Sequence, residues 1–292
     1  MIRTETPVEP LVGKLVRRHG GASPEEAVER YVTKWLSDTG QTRLPVNVDL
    51  IASAMGIRQH IRQYPFAGRI YADSSGQLVM DLNLGDSEPR RRFTCAHEVL
   101  HIAFPGFRSE ARYRLDRATG GYEERRALEE YLCDLGASLM LMPSALVSMT
   151  YRIQDGLRAV KALQNAANVS LEAAGIRLVK LANVACAFMV LETGYKPADA
   201  RAVRRGEPVK PELRVKYGVV KGLPFVPKFK SVAPQSLFVR ALHQPGNVSG
   251  IDHLPGATSQ SQAKMYIEAM RSDRKEGDRE IERVLAVAIA TG

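Results

Sequence analysis

The sequence predicts an α+β fold: a small sheet with packed helices in the first half, a helical stretch, then a β-rich last third. Three observations carry this. The run His97-Glu98-Val99-Leu100-His101 falls in an amphipathic helix behind two short strands. A second long amphipathic helix follows it. From residue 184 onward, short apolar runs alternate with Pro/Gly punctuation. The chain's 292 residues allow two or three domains, and its 45% hydrophobic and 25% charged content is that of a globular protein. No apolar run approaches the ~18–20 residues of a membrane span. The start, MIRTETPVEPLVGK, has no apolar core of a secretory signal. Cys95, Cys133 and Cys186 show no paired spacing, which suits a reducing, cytoplasmic setting better than a disulfide framework.

Residues 1–22 are polar and punctuated by Pro and Gly, and are expected to be a flexible tail. Pro24 to Asp38 is expected to be a helix capped by Ser23 with Glu26 at capping-box spacing, and with Ala27, Tyr31, Val32 and Trp35 as its apolar stripe. A short helix from Leu50 to Met55 stops at Gly56. Gly68 to Ala72 and Gln77 to Asn83 read as strands joined by Asp73-Ser74-Ser75-Gly76. Ser87-Glu88-Pro89 begins the helix that carries the histidines: a capping hydroxyl, an acidic first turn, and a proline where its missing N–H costs little. Phe93, Ala96, Leu100, His101 and Phe104 recur at helical spacing, and Pro105-Gly106 ends the element. Glu123 to Met142 is the next long helix, with an apolar stripe of Leu128, Tyr131, Leu132, Leu135, Leu139 and Met142.

Residues four apart in a helix stand on one face, so His97 and His101 can bind one Zn²⁺ while Glu98 takes a proton from water. Five residues alone can occur by accident, and a catalytic zinc needs a third protein ligand. Glu130 and Asp134, four apart beside the apolar stripe of the second helix, supply candidates: Glu130 as ligand and Asp134 holding a ligand histidine by its other ring nitrogen. The competing reading makes Glu123, Glu124, Glu129 and Glu130 a solvated acidic start favoured by the helix dipole.

The segment Arg90-Arg91-Arg92-Phe93-Thr94-Cys95-Ala96-His97-Glu98-Val99-Leu100-His101 resembles the R-x-R-F-T-x-A-H-E-x-G-H signature of ImmA/IrrE-type metallopeptidases. Glu130 to Ala137, followed by Leu141-Met142-Pro143, is similar to that family's E-x-x-A-N/D-x-F-A … L-M-P segment. Leu44-Pro45-Val46-Asn47-Val48, Ile51-Ala52 and Met55-Gly56-Ile57 resemble its P-V-D-x-x-x-I-A-x-x-x-G-I entry. Three positions depart: Leu100 replaces a usual glycine, where it is expected to narrow the space behind the metal. Cys133 replaces alanine, and Gly136 replaces phenylalanine, where a small packing gap is expected. The resemblance implies a zincin-like metallopeptidase domain over residues 23–145, with His97, His101 and Glu130 as metal ligands and Glu98 as general base. The implied cofactor is Zn²⁺, with Mn²⁺ also compatible with two histidines and a carboxylate. The implied substrate is a helix-turn-helix transcriptional repressor, cleaved to switch on a stress or mobile-element response. Folds of this kind commonly take their substrate along an exposed strand, and Gln77 to Asn83 is the candidate edge. Tyr113 and Tyr122 are candidates for stabilising the oxyanion.

Residues 146–183 read as a helix-turn-helix-like segment: two helices about Asn168-Val169-Ser170, with Ala167, Val169-Ser170, Ala173, Arg177-Leu178 and Leu181 in the packing positions. It is either a DNA reader or a helical linker that keeps the geometry. Residues 184–292 are expected to be a mixed α/β sensor module, because longer family members carry a GAF-like domain there. Strands are expected at Val184–Glu192, Leu213–Val220, Ser236–His243, Lys264–Met270 and Val284–Ala290, with Gly246–Gln262 polar and Arg271–Arg279 a charged turn. His243 and His253 are read as structural or surface residues. Between Arg201 and Lys230 nine basic residues oppose two acidic ones, most of the chain's net charge of +9. That segment is either a solvated surface or an attractor of phosphates and acidic partners. The second functional class is therefore a DNA-binding or ligand-sensing regulator with a vestigial peptidase site, and the C-terminal module is where a small-molecule signal is expected.

Overall fold

The computed structural model describes residues 9–104, 112–114, 124–256, 264–276 and 279–291. The chain divides into two compact units, Met1–Val147 with Asn165–Ser170, and Ser148–Gln164 with Leu171–Gly292. Among the described residues no helix is long and apolar enough to cross a membrane.

The first unit begins with helix α1 (Glu9–His19), where a loose tail was expected. Leu15 is fully buried, and the His19 ring packs edge-on against Tyr31 with centroids 4.8 Å apart. Pro10 lies in the first turn, where a proline is tolerated, so it did not interrupt the helix. Helix α2 (Pro24–Asp38) is capped as its sequence requires: Ser23 Oγ accepts from the Glu26 amide, and the Glu26 carboxylate accepts from the Ala22 amide at 2.8 Å. It buries Ala27, Val28, Tyr31 and Val32. The Asn47 side chain caps α3 (Val48–Ala54), and the chain turns after it at Gly56, with φ of 75°.

Strands β1 (Ile57–Arg62), β2 (Gly68–Ala72), β3 (Leu78–Asn83) and β4 (Arg112–Arg114) form one sheet in the order β1-β3-β2-β4. β1 runs parallel to β3, and the remaining pairs are antiparallel. The expectation that Gln77 to Asn83 is an exposed edge is therefore corrected, since β3 has a partner on each side. Its near-continuous burial, Leu78 through Leu82, is the mark of an interior strand. Asp81 is buried there because the Arg69 guanidinium holds its carboxylate at 2.6 Å and the His60 ring lies at 3.4 Å. Helix α4 (Glu88–His101) lies on this sheet. A β-carbon at Gly68 would meet Thr94 Cγ2 at 2.4 Å, so glycine permits the close approach. Ser87 is the N-cap by backbone position, but its hydroxyl makes no cap bond, contrary to expectation. Residues 105–106 and 123, assigned as the stop of α4 and the start of the next helix, lie outside the described residues. Helix α5 (Glu124–Leu141) packs against both α2 and α4, and α6 (Ser144–Ser148) follows.

Helices α7 (Gly156–Ala167) and α8 (Leu171–Leu181) flank Asn168, which adopts φ of 51°. The boundary between units falls within this helix-turn-helix-like string, since Asn165–Ser170 belongs to the first unit and Leu171 opens a stretch of the second.

In the second unit β5 (Cys186–Gly194), β6 (Glu212–Lys221), β7 (Asn247–Asp252), β8 (Met265–Arg271) and β11 (Arg283–Ala290) form an antiparallel sheet in the order β6-β5-β11-β8-β7. The connections carry helices α9 (Ala200–Arg204) and α10 (Leu237–His243) and a small hairpin, β9 (Arg274–Glu276) with β10 (Arg279–Ile281). Three expectations are corrected here. Ser236–His243 is a helix, not a strand: Leu237, Phe238, Ala241 and Leu242 are buried at helical spacing, and the Asp252 carboxylate accepts from the Leu237 amide at 2.8 Å. The polar stretch after Gly246 contains edge strand β7. The charged turn after Arg271 contains β9.

Helix α8 lies against β5 and β6. Its Glu172 carboxylate is held between Arg283, at 2.7 Å, and the Tyr217 hydroxyl, which donates to it. A β-carbon at Gly175 would come within 2.4 Å of the Phe188 ring, which is fully buried and cannot yield. Gly175→Ala is expected to destabilise the protein by about 1–3 kcal/mol through overpacking, read as a lower urea midpoint at unchanged slope.

Candidate metal centre

Residues 94–101 of α4 are all buried, so this last half of the helix lies wholly inside the first unit. His97 and His101 are each 1% exposed, one turn apart, with ring centroids 5.0 Å apart and edge-on. Imidazoles removed from water need partners. Helix α5 supplies them. Asp134 Oδ1 lies 2.9 Å from His97 Nδ1, and Glu129 Oε1 lies 2.8 Å from His101 Nδ1. An ionised carboxylate only accepts, so each Nδ1 carries the proton and each Nε2 of a neutral ring presents its lone pair. Those lone pairs face the Glu130 carboxylate, with Oε2 3.1 Å from His97 Nε2 and Oε1 3.7 Å from His101 Nε2.

Neither Nε2 makes a directed hydrogen bond, although both atoms are buried and Glu130 is close. Three donor atoms that converge without bonding one another are what a divalent cation would satisfy, and two imidazoles with one carboxylate are a donor set that zinc accepts. His97, His101 and Cys133 also offer three ligand atoms within 4.8 Å of one another. Cys133 Sγ, however, lies 3.6 Å from His101 Nδ1, the nitrogen that Glu129 already holds. The sulfur is thus on the far side of the ring from Nε2. The Nε2 geometry favours Glu130 as the third ligand.

Glu98 follows His97 on α4 and is fully buried. Arg92 fixes the start of this half-helix by donating to three carbonyls, of Val46 at 2.9 Å and of Ala167 and Asn168 at 3.3 Å each. Tyr122 lies outside the described residues, and Tyr113 is placed only as the β4 position opposite Arg69.

The competing reading, a solvated acidic start that includes Glu129, does not hold for that residue, which is 5% exposed. The expected stripe of α5 holds at Leu132, Leu139 and Met142, which are buried, but not at Tyr131. Tyr131 is 49% exposed, whereas Leu132, Cys133, Gly136, Ala137 and Met140 are buried. Glu129 stands three and four residues before Leu132 and Cys133. Counting the small residues Cys133, Gly136 and Ala137 as apolar would have put Glu129 on the buried face.

The departures at 100 and 136 prove to be one feature. A β-carbon at Gly136 would meet Leu100 Cγ and Cδ1 at 2.6 Å and Val28 Cγ1 at 2.9 Å. Leu100 therefore occupies the space over Gly136, and the packing gap expected at Gly136 is filled. Here the large residue stands on α4 and the small one on α5.

Residues 57–179 match the IrrE N-terminal-like domain of the Peptidase_M78 family. This segment is similar to that domain over less than half of the chain. It spans α4, α5 and the strands beneath them, and its family supports a metallopeptidase type of role. No curated protein matches the chain. Among solved structures, a Mycobacterium tuberculosis transcriptional regulator is similar at 13% identity and a TM-score of 0.55, covering 98% of this chain and 82% of its own. At that identity the two share a fold.

The contact between 100 and 136 within the IrrE-like domain can be measured. Leu100→Ala is expected to cost about 2–5 kcal/mol and Gly136→Ala about 1–3 kcal/mol. The double variant should lose less than their sum, by at least about 0.5 kcal/mol, because the truncated leucine leaves room for the new methyl. Strict additivity in urea unfolding would show that the two positions do not share space.

Proposed function

We propose that this protein is a metal-dependent endopeptidase, with zinc as its resident cation and manganese compatible, that cleaves a helix-turn-helix transcriptional repressor in the cytoplasm. The observation that carries the reading is the convergence of His97 Nε2, His101 Nε2 and the Glu130 carboxylate. These three residues would hold the cation, and Asp134 would orient His97 through Nδ1. When bound, the cation supplies Lewis acidity to water and to a scissile carbonyl. Glu98, one residue from His97 in a desolvated setting, accepts the proton of the attacking water and passes it to the leaving amine.

The peptide is proposed to lie extended along β4. That strand joins the sheet through β2 and, among the described residues, has no partner on its other side. It also lies against α4, the helix of the histidines. An unpaired edge offers backbone donors and acceptors to any extended substrate, which suits recognition of an exposed or unfolded segment.

The repressor substrate, and a stress or mobile-element response as its outcome, rest on the family resemblance. That the similar solved structure is a transcriptional regulator supports this setting. The second unit is proposed as the sensor module, and a cavity of about 300 Å³ lined by Tyr151, Arg152, Ile153, Leu178 and Asn183 is where a small-molecule signal would fit. Helix α8, the would-be recognition helix, buries Ala174, Gly175, Arg177, Leu178 and Val179. It has little free face for a DNA groove, which weighs against the reader hypothesis.

The test is proteolysis of candidate repressors by the wild type and Glu98→Gln. The variant should lose cleavage by about 10²–10⁴-fold while retaining metal, and a chelator should silence the wild type. Cleavage by Glu98→Gln at the wild-type rate would remove the mechanism.

A further inference from the structure

The proposed chemistry leaves Glu129 without a role, yet its placement is as specific as that of Glu130. Successive residues of a helix point about 100° apart. Glu129 and Glu130 therefore reach the two nitrogens of one ring, with Oε1 of Glu129 2.8 Å from His101 Nδ1 and Oε1 of Glu130 3.7 Å from His101 Nε2. One turn along α5, Asp134 meets His97 Nδ1 at 2.9 Å while Glu130 also faces His97 Nε2. Each imidazole thus stands between two carboxylates. Glu130 is shared, and Glu129 and Asp134 each serve one ring. The two outer pairs are not equivalent. The Asp134 side chain is 20% exposed and that of Glu129 7%, so the Glu129–His101 contact is the drier.

We infer that Glu129 is the positioning residue for His101: by accepting a hydrogen bond from Nδ1–H it fixes the ring's orientation and makes Nε2 the stronger donor to a bound cation. The inference rests on the metal reading above. A carboxylate behind a ligating histidine settles both which nitrogen is protonated and how basic the other one is. Cys133 Sγ touches the same Nδ1 at 3.6 Å, but sulfur is a weak acceptor and the carboxylate is nearer. Glu129 therefore dominates that nitrogen, and Cys133 fills space beside it.

The experiment uses the full chain, stripped of metal. Zn²⁺ affinity is measured by competition with a chromophoric chelator, and the visible absorption of the Co²⁺-loaded protein is recorded. The proteins compared are wild type, Glu129→Leu, Glu129→Gln and Cys133→Ala. Glu129→Leu should bind Zn²⁺ about 10–100-fold more weakly and shift the Co²⁺ bands. Glu129→Gln keeps shape and one acceptor but loses the charge, so it should fall between Leu and wild type. Cys133→Ala should stay within about twofold of wild type, since it leaves the carboxylate in place. If Glu129→Leu fails to fold, the Gln variant carries the test through its spectrum and affinity. Wild-type affinity and an unchanged Co²⁺ spectrum in both Glu129 variants would overturn the inference while leaving the metal reading intact. A wild type that binds neither ion would overturn both.

Discussion

The first unit depends on one constraint: two imidazoles and two carboxylates are buried where α4 meets α5. His97, Glu98, His101 and Glu129 are at most 5% exposed. Removing ionised groups from water costs several kcal/mol each unless partners replace the lost hydration. Replacement here is geometric. One helix presents the rings a turn apart, and the other presents acceptors at 129, 130 and 134, so that a shift of α5 by a single residue would misplace all of them. The surrounding small residues follow from this demand. Gly136 lets α5 come close to Leu100, and Gly68 lets the sheet come close to Thr94. The apolar packing fixes the helix spacing, and the helix spacing fixes the polar contacts.

The second unit solves a similar problem differently. Helix α8 is held to its sheet by a polar group in mid-interface, Glu172, between Arg283 and Tyr217. Burial, reinforced by the neighbouring Glu172 carboxylate, pushes the Tyr217 phenol well above its ordinary value, so it stays a proton donor. The arrangement is complete in itself, with acceptor, donor and cation matched. Around α4 the two Nε2 atoms face the Glu130 carboxylate and make no hydrogen bond of their own. That difference between a closed network and an open one, not the number of charges, makes the first a structural feature and the second the candidate site.

What the sequence made legible followed strength of pattern. The strands at 68–72 and 77–83 alternate or run apolar, and the helices carrying His97 and Glu130 are long, periodic and well punctuated, so type and extent could be read. Elements whose signal is weak were missed. β1 has only Ile57 and Ile61 to mark it. Ser236 to His243 begins with Ser-Leu-Phe-Val, residues of high strand propensity, and became a helix because Ser236 and Asp252 cap it and its apolar side chains repeat at helical spacing. Propensity gave way to tertiary context. At the site, the residues lying on a familiar motif could be named in advance. Glu129 could not, because the buried face of α5 is made of small residues that a search for large apolar side chains passes over.

The position of β3 shows the same limit from the functional side. Alternation identifies a strand and its faces, but strand order is set by which partners the chain folds back to supply. β1 was not visible in the sequence, so β3 looked like an edge. Once β1 occupies that flank in parallel register, the edge beside α4 among the described residues passes to β4, of which three residues are described. A short edge is a weak template for stray strands, which limits unwanted pairing. It also limits backbone binding energy. A peptide held there by only a few main-chain bonds must draw the rest of its affinity from side-chain contacts or from elsewhere on its own fold. If the proposed peptidase function holds, such an edge would select a substrate by more than the sequence around the cut, which is what a dedicated regulatory cleavage requires and a digestive one does not.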